Sequence, residues 1–359
     1  DDTPLVFDLE RSLTRGEVVR RVDDLAAELR RAAPDPHVAV AVVADGIDML
    51  IGMFAIWSNE QVFVPVNPRQ PPAAIDDVLE RTDPAAVVAA DGVRARPSTT
   101  AHEPGTAFVL WTSGTTGRPK AVLHTHEAYV EIIDRVLGPL RSKPRDPSTP
   151  PTPNLIPVSM ALNAGIYNAL FGLRAGAPLV MMNGFDTASF ATLVARHGIR
   201  STVLPPAAMA MLSDDPAIES LAPLRYVRSI TAPLSPFQAR RFTERFGVTV
   251  LNGYGQAEIG EVIGWTAADA REHPDKVGAI GRPHPGVDVR LADADDDGVG
   301  ELLVRPPSHA AGYADGDDLS DRLTADGFVH TGDLARVCLL YTSPSPRDHL
   351  SYLVCRLLL

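Results

Sequence analysis

Short apolar runs alternating with stretches of helical spacing constrain this chain more than any other feature. The runs are HVAVAVV, QVFVPV, AAVVAA, TAFVLW, APLVMM, RSTVLP and VTVLNGYG. Between several of them lie helical patterns such as PAAIDDVLERT, TASFATLVARHG and SPFQARRFTERFG, and upstream Val18, Val19, Val22, Leu25, Ala26 and Leu29 recur at helical spacing. Strands that are apolar throughout, each followed by a helix, are buried on both faces, as in a parallel sheet. The order predicts an α/β fold with two β-α lobes and largely parallel sheets, about residues 1–150 and 151–281. The Pro-rich stretch Arg141–Asn154 between them is expected to be an exposed loop. After Gly281 short alternating strands surround the turn DADDDG, which predicts a small antiparallel β-subdomain over 282–337. That turn imitates the start of a calcium loop, but its twelfth position is Val304, so a hairpin is expected instead.

A formal charge of −12 over 359 residues argues against general affinity for nucleic acid or anionic membrane, so any bound phosphate needs a local site. The one window resembling a membrane span, Val38–Trp57, carries Asp45, Gly46 and Asp48 near its middle; it reads as a strand, a turn and an apolar helix. No integral membrane segment is expected. The first residues show neither a basic region nor an apolar one, so no signal peptide is visible and a cytoplasmic location is expected. Residues 1–337 hold no cysteine, which excludes a disulfide framework there. His124 and His126 have no third ligand nearby in sequence and are not expected to hold a metal.

Between Phe108 and His126 an apolar run breaks into TSGTTGRPK and then resumes. Backbone N–H groups, hydroxyls and one cation at a strand end suit phosphate oxygens. The stretch is not a Walker A loop, because Arg118 and Pro119 separate Gly117 from Lys120 and Ala121 follows the lysine. Composition alone allows a linker equally. Lysine usage argues for a grip: the chain has only Lys120, Lys143 and Lys276 against thirty arginines, so a compact point charge is singled out here.

The order Thr112, Ser113, Gly114, Thr115, Thr116, Gly117, x, Pro119, Lys120 resembles the signature loop of the adenylate-forming (AMP-binding) superfamily. Acyl-CoA synthetases, luciferases and peptide-synthetase adenylation domains are its members. Further stretches resemble its later motifs in order: NGYGQAE (252–258), GELLVRPPSHAAGY (300–313) and the Thr-Gly-Asp of DGFVHTGDLARV (326–337). QVFVPVNPRQP resembles an early structural motif, so the likeness covers residues 1–337, an AMP-binding N-terminal domain. It implies that Thr112, Ser113, Gly114, Thr115, Thr116, Gly117 and Lys120 hold the phosphates of ATP. It also implies that Ala232, Pro233, Asn252, Gly253, Tyr254 and Gly255 surround the adenosine, with Tyr254 against adenine and Asp333 on the ribose hydroxyls. Lys120 and Glu258 would be the catalytic pair, Glu258 binding Mg²⁺, a hard cation that a carboxylate shares with phosphates. Ala257 departs from the pattern, standing where the family has a threonine that meets the α-phosphate.

The resemblance implies that a carboxylic acid is activated to an acyl-adenylate with release of pyrophosphate, and that coenzyme A then takes the acyl group. An adenylation domain loading a carrier protein, or a truncated chain that binds ATP with little turnover, are the alternatives. In IPVSMALNAGIYNALFGLRAGAPLV, residues Met160, Ala161, Asn163, Ala164 and Tyr167 could line an acyl pocket or could equally be core. Amino-acid-activating relatives carry a Phe-Asp-x-Ser ahead of this helix; here Phe185-Asp186 comes after it, so a fatty or aromatic acid is expected. The end, CLLYTSPSPRDHLSYLVCRLLL, holds both cysteines and no alanine, and its start resembles a translated sequencing adapter. Residues 338–359 are therefore expected to be a non-native tail, with the family's C-terminal lid domain absent.

Overall fold

The computed structural model describes residues 2–112, 119–141, 151–314, 319–339 and 352–358. At the start, β1 (Pro4–Phe7) and β2 (Ser12–Thr14) form a hairpin leading into α1 (Arg15–Ala32). Thr14 caps α1: its hydroxyl accepts from the Glu17 amide, and the Glu17 carboxylate accepts from the Thr14 amide. The first β-α run comprises β3 (Ala39–Val43), α2 (Gly46–Trp57), β4 (Val62–Val66), α3 (Pro72–Thr82), β5 (Ala86–Ala89), β6 (Gly92–Ala95), β7 (Thr106–Trp111), β8 (Ala121–Thr125) and α4 (His126–Leu140). The second comprises β9 (Asn154–Ile156), α5 (Asn163–Arg174), β10 (Leu179–Met181), α6 (Thr187–Arg196), β11 (Ser201–Leu204), α7 (Pro206–Asp214), β12 (Tyr226–Ser229), α8 (Pro236–Phe246), β13 (Thr249–Gln256), β14 (Gly260–Gly264), α9 (Ala267–Glu272) and β15 (Arg282–Pro283). The remainder is β16 (Asp288–Ala292), β17 (Val299–Arg305), β18 (Gly312–Tyr313), β19 (Val329–Leu339) and β20 (Tyr352–Leu358).

Three sheets result. The first has the order β18-β8-β7-β4-β3-β5-β6, with β7, β4, β3 and β5 parallel. The second runs β15-β14-β13-β12-β11-β9-β10-β1-β2, parallel from β13 through β1. The third, β16-β17-β19-β20, is antiparallel throughout, and β20 from the C-terminal stretch lies on its edge. The turn DADDDG joins β16 to β17 as a hairpin, with the Asp295 carboxylate accepting from the amides of Asp297 and Val299. The α/β architecture is as the sequence predicts.

Three short strands, β1, β2 and β18, cross the expected lobe boundaries. Residues 4–14, expected in the first lobe, join the second sheet, where Val6 pairs with Leu179 and is fully buried. Tyr313, expected in the β-subdomain, pairs with Val122 on the edge of the first sheet. Both additions cover edges that would otherwise leave backbone groups unpaired.

The window Val38–Trp57 is β3, a turn and α2, whose nine innermost residues are buried. Asp45 opens the helix and ties the lobes together. Its Oδ1 accepts from the amides of Gly46 and Met160 at 2.9 Å each, and Oδ2 accepts from Arg69 Nη2 at 2.6 Å. Arg69 also donates to the Asn183 carbonyl in the second lobe. Among the described residues no helix is long and apolar enough to cross a membrane.

Candidate active site

Thr112 follows β7, Ala232 follows β12, and Tyr254 lies near the end of β13. Each sits at the carboxyl end of a strand, where α/β sheets present ligand sites. The β7/β8 ladder closes at Trp111 and Ala121. Just beyond, the Thr112 amide donates to the Lys120 carbonyl at 3.0 Å, and the Lys120 amide donates to Thr112 Oγ1 at 2.9 Å. Thr112 and Lys120 thus form the neck of the loop; Ser113, Gly114, Thr115, Thr116 and Gly117 lie outside the described residues.

From Lys120 a continuous series of contacts crosses the site. Lys120 Nζ stands 4.7 Å from the centre of the Tyr313 ring. Tyr313 Oη donates to Glu258 Oε1 at 2.8 Å, and Arg322 Nη1 donates to the same oxygen at 2.7 Å. Arg322 Nη2 reaches Gln256 Oε1 at 2.8 Å and the His330 carbonyl at 2.8 Å. Gln256 Nε2 donates to Asp333 Oδ2 at 3.0 Å, and Tyr254 Oη donates to that oxygen at 2.6 Å. The three motifs that the sequence singles out are therefore joined through Tyr313, Arg322 and Gln256. Gln256 and Tyr313 lie inside the quoted stretches; nothing in the sequence marks Arg322, which reaches Glu258 only because the segment before β19 folds back over the β13–β14 turn.

Burial and neighbouring charges keep the two phenols of this network protonated and Arg322 charged. Burial holds the Tyr254 phenol well above its usual pKa, with the Asp333 carboxylate adding to the effect. It also pushes the Tyr313 phenol up to about 12, with Glu258 adding and Arg322 opposing. Burial acts to lower the pKa of Arg322, but the Tyr313 hydroxyl and the Glu258 carboxylate outweigh it and raise it. At neutral pH both phenols are donors and Arg322 is a cation. Glu258 is buried, and among the described residues its hydrogen bonds use only Oε1, which leaves Oε2 to accept. Asp333 likewise uses Oδ2 for both side-chain bonds.

Ala257 packs against Val122, Ala310, Tyr313 and Leu319. Its carbonyl accepts from His124 Nε2 at 2.7 Å. His124 is fully buried, burial pulls its pKa down to about 4, and its Nδ1 has no partner. The ring is thus neutral with the proton on Nε2. His126 instead opens α4, edge-on to Trp57.

Asn252 is buried: its Nδ2 donates to the Ala279 carbonyl at 3.3 Å and its Oδ1 accepts from the Gly253 amide at 3.1 Å. Gly255 must be glycine, since a Cβ there would stand 2.1 Å from the Gly260 carbonyl oxygen across the hairpin. Ala232 and Pro233 are exposed and follow Thr231, a β-branched residue at φ 73°. Of the tentative acyl-pocket residues, Met160 is in the core. Ala161 is buried beside it, Ala164 is half-buried, and the Asn163 side chain accepts from Tyr129 Oη at 2.6 Å. The Tyr167 hydroxyl is buried without a partner.

Comparison with known proteins identifies the family and the fold. The family model described as AMP-binding enzyme matches residues 1–106 and 89–314. Over 239 residues the chain is 33% identical to a sulfoacetate–CoA ligase of Cupriavidus necator, which covers 64% of this chain and 44% of that protein. Over 369 residues it is 30% identical to pyochelin synthetase PchE of Pseudomonas aeruginosa, covering 91% of this chain and 25% of that protein. The chain thus spans less than half the length of either relative. Among solved structures, ATP-bound MatB from Rhodopseudomonas palustris superposes with a TM-score of 0.80 at 19% identity, over 98% of this chain and 75% of that one; at this identity the likeness is one of fold. Fold, motif order and family match together assign the chain to the AMP-binding family of adenylate-forming enzymes.

Proposed function

We propose that this chain forms the nucleotide site of a ligase that activates a carboxylic acid with ATP, releasing pyrophosphate, and passes the acyl group to coenzyme A. The observation that carries this reading is the unbroken series from Lys120 through Tyr313, Glu258, Arg322 and Gln256 to Asp333 and Tyr254. It gathers a cation, an aromatic face and two carboxylates, each with an oxygen to spare. Lys120, Thr112 and the loop residues Ser113, Gly114, Thr115, Thr116 and Gly117 grip the phosphates. Tyr254 offers its ring to adenine, with Ala232, Pro233, Asn252, Gly253 and Gly255 as backbone around it. Asp333 Oδ1 accepts from the ribose hydroxyls. Glu258 Oε2 suits Mg²⁺, which takes one or two carboxylates and completes its shell with water and phosphate oxygens. Among the described residues no cluster of three His, Cys, Asp or Glu side chains competes for such an ion. Bound there, the ion would neutralise charge on the phosphates.

The chemistry asked of these residues is positioning and charge neutralisation. A carboxylate oxygen bonds to the α-phosphorus as the bond to pyrophosphate breaks. Lys120 faces the leaving charge, and the Tyr254–Asp333 contact fixes the adenosine end. The acid is read as one without an amine, fatty or aromatic, and the location as cytoplasmic. A second reading, delivery to a carrier protein, draws support from the similarity to PchE over most of the chain. ATP–pyrophosphate exchange over a panel of acids tests both. Exchange driven by aryl or alkyl acids is the expected result, exchange driven only by amino acids favours the second reading, and none with any acid contradicts adenylation by this chain.

A further inference from the structure

Behind Tyr254 the hairpin carries an ionic cluster that the nucleotide site does not use. Gly253 pairs with Gly264 across β13 and β14, and the bare backbone of this pair leaves room for charged side chains. A Cβ on Gly264 would stand 2.6 Å from Arg228 Nη1 and 2.7 Å from Glu261 Oε1; on Gly253 it would stand 3.3 Å from each. Arg228 Nη1 donates to Glu261 Oε1 at 2.5 Å, Arg228 Nη2 to the Trp265 carbonyl at 3.0 Å, and His284 Nε2 lies 2.9 Å from Glu261 Oε1. Among the described residues every bond of Glu261 falls on one oxygen, and Arg228 retains unused N–H groups.

Helix α4 packs on β14 beside this cluster, and α5 packs on α4. Tyr167 on α5 lies within electrostatic reach of Glu261, Arg228 and Arg135, and its buried hydroxyl has no partner. Arg135 on α4 is paired with Glu131 at 2.7 Å, yet its Nε and Nη1 are buried and unbonded. Helix α4 reaches β14 through Ile132, which fills the space where Gly260 has no side chain. A purely structural ion pair would be expected to satisfy the groups around it, because each orphaned buried donor costs about 1–3 kcal/mol. Here four elements bring spare donors and acceptors towards the Gly253/Gly264 pair, next to Tyr254 in sequence. The charges are already balanced, Arg228 by Glu261 and Arg135 by Glu131. A ligand with a net charge at this end would be desolvated without a counter-ion, whereas an uncharged donor–acceptor group would complete the bonding.

We propose that the acid activated at this site carries an uncharged hydroxyl, which can donate to Glu261 while accepting from Arg228 and Tyr167. This narrows the substrate class and rests on the nucleotide site being where Tyr254 and Asp333 are. Plain alkyl acids would leave the cluster unsatisfied and are disfavoured.

The test is calorimetry on the full chain with acyl-sulfamoyl adenosines, stable mimics of acyl-adenylates: 4-hydroxybenzoyl, benzoyl, octanoyl and succinyl, with AMP as reference. The hydroxyl probe should bind at least about tenfold tighter than the benzoyl and octanoyl ones, the value of one hydrogen bond to a charged group. Arg228→Met with Glu261→Leu, which removes both charges at similar volume, should erase that preference. Tyr167→Phe should reduce it about threefold, the value of a weak neutral hydrogen bond. Melting curves and AMP titrations report whether each variant is folded. Tightest binding by the octanoyl or the charged succinyl probe, or a preference that survives the double variant, overturns the proposal. Failure of AMP and every probe to bind the unaltered chain refutes the nucleotide site itself, and the proposal with it.

Discussion

His124 makes acid stability a sharp test of how the Ala257 turn is held. Its ring is buried beside Phe108 and Tyr129, at 5.5 Å and 5.2 Å between ring centres, and its one bond goes to the Ala257 carbonyl. Burial pulls its pKa from 6.5 to about 4. Above pH 6.5 both folded and unfolded chains keep the ring neutral and stability is unaffected. As pH falls from 6.5 towards 4, the unfolded chain takes up a proton that the folded chain refuses, so stability drops. The loss from this group is about 2 kcal/mol at pH 5 and about 3 kcal/mol once pH is below 4. With an unfolding entropy of about 2 cal/mol/K per residue, 2 kcal/mol corresponds to roughly 3 °C in a chain of this length. His124→Gln keeps an N–H that can reach the carbonyl but does not titrate. Melting temperatures of both proteins at about pH 8 and pH 5 isolate the effect, since all other groups are shared. The unaltered chain should lose about 3 °C more than the variant; equal losses would refute a buried neutral His124.

Two stability changes are readable elsewhere. Thr231 sits at φ 73°, where a β-branched residue costs about 1–2 kcal/mol; glycine returns roughly 0.5–1 kcal/mol of that as lost chain entropy. Thr231→Gly should therefore raise the denaturant midpoint by the equivalent of about 0.5–1 kcal/mol, and a lowered midpoint would contradict the strain. Asp45→Ala removes the cap of α2, leaves the buried Met160 amide without its acceptor and frees Arg69 from its carboxylate. The expected loss is roughly 2–4 kcal/mol by denaturant unfolding, a cap plus one orphaned donor; a loss below about 0.5 kcal/mol would mean that this link does not hold the lobes.

The β-α order was legible because each strand is a short apolar run and each helix has its own period, as in α3, whose limits coincide with PAAIDDVLERT. What escaped were pairings that no local pattern encodes. Nothing in residues 4–14 marks the strand they join, the open edge beside β10. Tyr313 closes an otherwise remote strip onto β8. Of the candidate site, Lys120, Tyr254, Glu258 and Asp333 were legible as members of ordered motif stretches, and the structure links them through a series of contacts. Arg322 was not, because an arginine among thirty carries no signal until the fold sets it against Glu258. Arg228 and Glu261 were missed for the same reason: their partners are far apart in sequence, and the glycine pair that makes room for them is visible only as a cross-strand register.

Calorimetric titration of AMP and ATP into the unaltered chain and into Asp333→Ala tests directly whether Tyr254 and Asp333 hold an adenine nucleotide. Saturable binding to the unaltered chain, weakened at least about tenfold in the variant by loss of a charge-assisted bond, is the expected result. No binding to the unaltered chain, or equal affinity in both, would contradict their doing so.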